Sequence, residues 1–346
     1  MRFKVVSYCP DRHIEYDGET PYRVGVGGGV TARVRMAKVL ARLGHDVQMV
    51  VNCPEERWID GVHYRPLDSV ARIQADVLIL NTSGGDLDLS PALDLDLEAR
   101  LRIVWAHGLP KPGGLDEIKP DYVYAVSNFI AGVVRDEWRV PDNKIFVTYN
   151  GYDEDLFTAA EAQGIERDPY RLIYFSHPSK GLETALAVLR LLRAVDERYH
   201  IEVFGGNALW GQQEQPHEEE PGARYHGLVG QRRLTEELLA SSFSLQMQHR
   251  EEPGALAIVD AMRAGCVIVA NPVGCYPEFV QDSHTGLLIS VDHREDQARK
   301  RAAEQVHAFS QCPASKFKIS VQAQRSARSR NYRAEEWTAH WQSLLA

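Results

Sequence analysis

The stretch from Ser244 to Glu278, S-L-Q-M-Q-H-R-E-E-P-G-A-L-A-I-V-D-A-M-R-A-G-C-V-I-V-A-N-P-V-G-C-Y-P-E, decides how this chain folds. A short apolar run meets the carboxylate pair Glu251 and Glu252, then a Pro-Gly step and a second apolar run. Pro253 and Gly254 suit the first turn of a helix, and Leu256, Val259, Ala261 and Met262 give that helix a face to bury. Gly265 closes it, and Val267 to Ala270 reads as a buried parallel strand. The loop therefore sets a carboxylate and several free backbone N–H groups at a helix N-terminus, where anions bind. Asp260, further along the helix, is placed to accept hydrogen bonds from a ligand's hydroxyls. An aspartate inside an apolar helix is a poor helix former and costly to bury without partners, so it needs a reason, either capping a nearby loop or holding a ligand.

The same strand–loop–helix rhythm runs outward in both directions. Lys4 to Tyr8 starts it, followed by a polar loop to Gly25 that holds Tyr16 and Arg23. G-V-G-G-G then opens a helix with Val34, Ala37, Val39, Leu40 and Leu43 at helical spacing. Strands are expected at Val47–Val51, Val77–Leu80, Ile103–Ala106, Tyr122–Val126 and Ile145–Thr148, with a helix from Ser127 through Trp138. Asn150 to about Asp168 lacks periodicity and reads as a linker. A second series follows: strand Leu172–Ser176, helix Leu182–Val195, strand Ile201–Gly205, helix Leu234–Ala240 and strand Ser244–Met247. The chain ends on an amphipathic helix with Trp337 and Trp341. Repeated βα units require parallel sheets, and ligands bind at the carboxyl ends of such strands. The expected fold class is α/β, with two Rossmann-like doubly wound domains facing across a cleft. They span 1–158 and 159–325, and a helix at 326–346 returns to the first.

Composition narrows the function classes. A chain of 346 residues with 44% hydrophobic and 25% charged residues is globular and large enough for two domains. Its formal charge of −9 argues against a nucleic-acid partner. Five scattered cysteines without metal-ligand spacing fit buried thiols in a reducing compartment. M-R-F-K-V-V-S-Y reads as a strand rather than a signal peptide and no run is apolar enough to span a bilayer, so the expectation is the cytoplasm.

Other candidates are weighed against plain structural roles. Gly25 to Gly29 fails as a dinucleotide fingerprint, because Val30 stands where the third glycine belongs. Glycines before a helix still let backbone N–H groups approach a phosphate. Lys180, in a strand-to-helix loop, suits a point charge on a diphosphate, although a surface lysine is the commoner explanation. His107 reads first as a satisfied core histidine, the more frequent role of a lone histidine. Asp86 to Leu97, with Asp-x-Asp pairs ahead of a charged helix, reads as an exposed acidic turn rather than a cation site, so no metal is expected. The basic run Lys316 to Arg333 reads as a solvated helix face, with an anionic membrane surface or lipid-linked substrate as the alternative.

Taken in order, these segments resemble the GT-B glycosyltransferases of the retaining, family-4 type (glycosyl transferases group 1). Gly28-Gly29 opening a helix that ends L-A-R-L-G-H-D-V resembles the family's N-terminal donor loop. I-V-W-A-H-G, Y-A-V-S-N-F-I and V-T-Y-N-G-Y-D-E-D-L-F follow as in its acceptor-side domain. S-H-P-S-K-G-L-E resembles the phosphate loop, H-G-L-V-G the base-side loop, and E-P-G-A-L-A-I-V-D-A-M the Glu-x7-Glu signature. The resemblance implies a hexosyltransferase-like retaining enzyme with a UDP- or GDP-sugar as co-substrate, no tightly bound cofactor and no required metal. The acceptor would be a small molecule, a glycan or a lipid-linked sugar.

Residue by residue, the resemblance implies that Glu252 and His107 meet the donor sugar near its reacting carbon. Gly254, Ala255 and Leu256 offer amides, Lys180 neutralises the diphosphate, Asp260 holds the ribose, and Gly28, Gly29 and Gly227 line the donor site. Tyr16, Arg23, Asn81 and Ser127 are acceptor-side candidates. Three departures stand out: Asp260 for the second glutamate, Thr31 for a common glutamate, and no arginine before Lys180, which leaves room for another cation. An inactive sugar-nucleotide-binding regulatory partner is the alternative function, with an epimerase or phosphorylase on the same fold behind it.

Overall fold

The computed structural model describes residues 1–81, 88–216, 219–329, 331 and 334–345. Thr82 and Ser83 at a strand end, Asp86 and Leu87 of the acidic turn, Glu218, and Arg330 and Arg333 of the basic run lie outside them. The chain divides into two compact units. One comprises Met1–Pro21, Val26–Gly151 and Tyr332–Ala346, the other Tyr22–Gly25 and Tyr152–Asn331.

The first unit is an eight-stranded sheet: β1 (Lys4–Tyr8), β2 (Asp46–Val51), β3 (Arg57–Ile59), β4 (Val62–Pro66), β5 (Arg72–Asn81), β6 (Asp96–Ala106), β7 (Tyr122–Ala125) and β8 (Ile145–Val147). Its order is β3-β4-β2-β1-β5-β6-β7-β8, and β3 with β4 is its antiparallel pair. Chain order reverses direction at β1, which lies between β2 and β5, so the loops after β1 and β5 sit at a topological switch point. Helix α1 (Thr20–Arg23) falls in the loop after β1. It is followed by α2 (Gly28–Arg42), α3 (Leu115–Ile118) and α4 (Asn128–Asp136).

Two departures from the sequence reading have clear causes. The expected charged helix after the acidic turn is the first half of β6. There Asp96, Glu98, Arg100 and Arg102 alternate with Leu97, Ala99, Leu101 and Ile103, a period of two rather than 3.6. The alternation extends β5 and β6 into a long ladder from Arg72↔Asp96 to Asn81↔Trp105, and Arg72 also reaches Glu98 at 2.6 Å. The β3–β4 hairpin, absent from the expected strands, turns on Asp60-Gly61, both at positive φ (51° and 78°). That is the pairing a two-residue hairpin demands.

The second unit is wholly parallel: β9 (Asp168–Phe175), β10 (His200–Phe204), β11 (Ala223–Gly227), β12 (Ser241–Gln246), β13 (Val267–Ala270) and β14 (Leu287–Leu288), in the order β11-β10-β9-β12-β13-β14. Its helices are α5 (Glu154–Glu161), α6 (Leu182–Val195), α7 (Gln231–Ala240), α8 (Leu256–Ala264), α9 (Tyr276–Phe279), α10 (Asp296–Gln311) and α11 (Pro313–Ser329). One sheet face packs Leu172, Ile201, Val203, Leu245 and Val267 against Val188 and Leu189 of α6 and Ala302 and Val306 of α10. Helices α7 and α8 pack against β9, β12 and β13. The switch point falls between β9 and β12, so the loops after those two strands are where a ligand is expected.

The expected linker at Asn150 to Asp168 contains α5. Asp153 caps it, accepting from the Asp155 N–H at 3.1 Å, and Phe157 and Ala160 are buried one turn apart. Buried Arg263 bonds Glu154 at 3.0 Å and Glu161 at 2.6 Å, two turns apart on one side of the helix. Lys316 of the basic run turns inward rather than facing solvent, and its ammonium lies 5.8 Å from the Phe243 ring.

The final helix, α12 (Ala334–Leu345), falls in the first unit. Trp337 and Trp341 are 0% exposed and lie one turn apart. The Trp337 indole donates to Thr148 Oγ1 at 2.7 Å, and Trp341 meets the Phe3 ring edge-on at 6.0 Å. Truncating a tryptophan so buried costs about 3–5 kcal/mol. Among the described residues no helix is long and apolar enough to cross a membrane, and all five cysteines are free.

Candidate functional site

The two switch-point loops of the second unit meet at a half-buried ion pair. Lys180 Nζ donates to Glu252 Oε2 at 2.7 Å, with the side chains 25% and 18% exposed. Lys180 ends a short 3-10 turn, Pro178–Lys180, after β9. Gly181 follows at φ +100°, and a Cβ there would lie 1.9 Å from the Met247 carbonyl oxygen. The β9 loop is thus threaded against the end of β12 so closely that only glycine passes.

Glu252 is held from behind. Its carbonyl accepts from the Cys275 N–H at 2.9 Å, and a Cβ on Gly274 would lie 2.4 Å from its nitrogen. Gln248 Nε2 reaches Glu252 Oε2 at 3.4 Å and bonds the Tyr276 hydroxyl at 2.6 Å. Burial raises the Tyr276 phenol well above its ordinary pKa, with the Glu252 charge adding to the effect, so it stays protonated.

Helix α8 begins later than the Pro-Gly step suggested. Ala255 is its N-cap, in the left-handed region at φ +43°, and Pro253 and Gly254 belong to the approach loop. A non-glycine residue there costs roughly 1–2 kcal/mol, the kind of strain that gathers at functional sites. No side chain caps the helix, so the first-turn amides from Leu256 onward have no intrahelical acceptor. Asp260, four residues after Leu256, is 4% exposed. Gly227 ends β11 and lines a pocket with Tyr174, Ser176, Val203 and Tyr225 at the ends of β9, β10 and β11.

Sequence reasoning left the cation beside Lys180 unassigned. Arg250 now stands near that position. Its Nη1 donates to Ser179 Oγ at 3.1 Å and its guanidinium lies 4.9 Å from the centre of the Trp210 ring. Trp210 stacks in turn on His177 at 3.6 Å, and His177 Nδ1 pairs with Ser179 Oγ at 2.8 Å. The sequential signal was its place two residues before Glu252.

In the first unit, Gly28 and Gly29 form the first turn of α2, and Thr31 Oγ1 donates to the Gly27 carbonyl at 3.3 Å. The acceptor-side candidates are less alike than the sequence suggested. Ser127 is buried and caps α4, accepting from the Ile130 N–H at 3.1 Å. Asn81 is buried and donates to Ser7 Oγ at 3.2 Å. Tyr16 is buried, its hydroxyl taking a hydrogen bond from Arg33 Nε at 3.0 Å. Arg23 is exposed and falls within the second unit.

His107 follows β6; its ring is buried, and the Asn150 side chain and the Trp105 backbone are close enough to act on it, though at no full hydrogen-bond geometry. Burial pushes its pKa down to about 3, the Arg33 charge assisting and Asn150 and the Trp105 backbone opposing. It is therefore a neutral hydrogen-bonding group near pH 7, not a proton source. Unfolded, the same imidazole takes up a proton below about pH 6.5. The unfolded chain then binds more protons, and stability falls as pH drops from about 6.5 toward 3. His45, His177, His293 and His340 are lowered by burial as well and act with the same sign. The melting temperature is expected to drop between pH 7 and pH 5, and a rise over that interval would contradict this account.

Fold and site together define a class: an α/β protein of two Rossmann-like sheets, the GT-B architecture, with polar groups gathered at the switch points. Residues 160–306, which include Lys180, Gly227, Glu252 and Asp260, match the family described as Glycosyl transferases group 1. Comparison with curated proteins gave no match. Among solved structures the chain is similar to sucrose-phosphate synthase from Thermosynechococcus elongatus, with 15% identity, TM-score 0.72 and 99% of each chain covered. It is also similar to a glycosyltransferase from Rickettsia africae, with 11% identity, TM-score 0.68, and 99% of this chain and 98% of that one covered. HepE of Anabaena in complex with UDP-glucose matches with 14% identity, TM-score 0.67 and 99% of each chain covered. At such identities the likeness is one of fold.

Proposed function

We propose that the protein is a retaining glycosyltransferase that moves a sugar from a UDP- or GDP-sugar to an acceptor hydroxyl without needing a metal ion. The observation that carries the reading is the Lys180–Glu252 pair at the uncapped N-terminus of α8, inside the segment that matches the glycosyl transferases. A donor's diphosphate takes Lys180 away from Glu252, with Arg250 and the α8 amides as further positive partners. The freed Glu252 carboxylate then faces the sugar, whose reacting carbon gains positive charge as the phosphate leaves. The acceptor oxygen bonds to that carbon on the side the diphosphate departs from, the carbon–phosphate oxygen bond breaks, and the hydroxyl proton passes to the departing phosphate oxygen. Configuration is kept, and the products are a glycoside and a nucleoside diphosphate. Neutral His107 donates or accepts a hydrogen bond at a sugar hydroxyl, and the groups at the strand ends of the first unit bind the acceptor.

Asp260 takes the ribose hydroxyls in this reading. Charge-assisted hydrogen bonds of that kind are worth about 1.5–3 kcal/mol, so Asp260→Ala is expected to weaken UDP or GDP binding about 10- to 100-fold. Thermal-shift titration of wild type and variant measures this directly, because a bound ligand raises apparent stability by mass action. Equal nucleotide affinity in the two proteins removes Asp260 from the site. A wild type that responds to neither UDP nor GDP removes the donor assignment.

A further inference from the structure

Arg33 lies in the second turn of α2 and is 1% exposed. Its Nε reaches Tyr16, while Nη1 and Nη2 are buried and make no hydrogen bond. A guanidinium does not give up its proton in a protein, so a full charge with two NH2 groups unsatisfied sits in the interior. Leaving such a group unpaired is among the costlier arrangements a fold can keep. Asp11, Cys9 and Tyr16 lie near enough for their charges to act on it, yet none accepts from Nη1 or Nη2. His107, in the same unit, is also buried, and the Arg33 charge acts on it.

The topology explains why these groups converge. Strands β1, β5 and β6 are neighbours in the sheet, Cys9 and Asp11 follow β1, and His107 follows β6. Arg33 belongs to the helix after β1, beside the switch point of the first unit. His107 also lines a pocket with Leu89, Trp105, Gly108 and Trp138.

We propose that Arg33 recognises an anionic group on the acceptor, a carboxylate or a phosphate monoester, so that the enzyme selects acidic sugars. The inference rests on the glycosyl-transfer reading for the word acceptor, while the anion site stands on Arg33 and His107 alone. The two NH2 groups of a guanidinium form a planar fork that fits two oxygens of such an anion, and His107 supplies a third hydrogen bond. Tyr16 covers the guanidinium from the segment after β1, and the entering anion displaces it.

Saturation-transfer NMR tests this on the full chain with glucuronate, glucose 6-phosphate and methyl glucoside as probes, and with inorganic phosphate as competitor. Wild type is expected to bind the two acidic sugars about 10-fold tighter than methyl glucoside, and Arg33→Gln to lose that preference. Affinity for methyl glucoside and for UDP or GDP is expected to stay unchanged. Arg33→Lys, which keeps the charge but not the fork, is read if Arg33→Gln does not fold, and retains only part of the preference. Competition by inorganic phosphate at similar concentration would mean that the site takes a free anion and not an acceptor, which overturns the proposal. So would equal binding of acidic and neutral sugars by wild type, or a loss of UDP or GDP affinity in Arg33→Gln, which moves Arg33 to the donor's diphosphate. If acidic sugars bind as expected while no nucleotide does, the anion site stands and the transferase reading fails.

Discussion

Glu252→Gln is expected to lower kcat for sugar transfer by about 100- to 1,000-fold, the usual consequence of removing one charge-stabilising group from a reacting centre. The substitution keeps the side chain's length and an oxygen for Lys180 Nζ, now 2.7 Å away, but removes the charge. The backbone contacts that hold the residue, to Cys275 and beside Gly274, do not involve its side chain. Folding and the melting temperature should therefore be unchanged, and UDP or GDP affinity nearly so, because in the proposed reading the nucleotide does not rest on this carboxylate. Steady-state kinetics with a UDP- or GDP-sugar, beside thermal melts of the same preparations, measure both halves. A folded variant that transfers sugar at the wild-type rate removes Glu252 from the chemistry.

Gly181→Ala is expected to have the largest effect on stability. The new methyl would sit 1.9 Å from the Met247 carbonyl oxygen, a backbone atom with little freedom to retreat, at φ +100°, which side chains rarely adopt. Steric displacement in a packed region and the left-handed backbone each cost on the order of 1–3 kcal/mol, so a loss of about 3 kcal/mol is expected. In a unit of this size that lowers the melting temperature by roughly 6–12 °C. Any molecules that remain folded should bind UDP or GDP less well, because the loop carrying Lys180 must lift away from β12. Urea denaturation gives the stability change, and a variant as stable as wild type would show that the loop is not held as described.

Much of this was legible in the sequence because fully buried parallel strands leave apolar runs that need no context. Val267–Ala270 and Lys4–Tyr8 occupy the expected residues for that reason. Where periodicity was short, the reading slipped. The alternating charges of Asp96 to Arg102 mark a strand whose outer face is wet, and over so few residues that alternation is not distinguishable from a charged helix. The turn of Asp60-Gly61 was a direct hairpin signal that went unread, since the flanking strands are only three and five residues long. Helix α5 was hidden by its polar exterior, and two apolar residues a turn apart were too few to reveal it.

The site divides the same way. Lys180 and Glu252 stand on loops whose place the βα order dictates, so their pairing follows from topology. Arg250 and Arg33 were invisible for a different reason. One is an arginine on a loop and the other an arginine on a helix, each with an ordinary surface explanation. Only the structure shows the first held at Ser179 and the second buried with unsatisfied donors. Helix starts are harder to read: Pro253-Gly254 looks like a first turn, but Ala255 at positive φ delays α8 to Leu256.

We propose transfer of a sugar from a nucleoside diphosphate donor with retention. The measurement that tests it most directly is proton NMR of the wild-type enzyme incubated with UDP- and GDP-sugars of α configuration and a panel of sugar acceptors. The expected result is release of the nucleoside diphosphate together with a product whose anomeric coupling is that of an α-glycoside. A β-linked product would contradict retention, and the absence of any donor turnover across the panel would contradict the transferase reading itself.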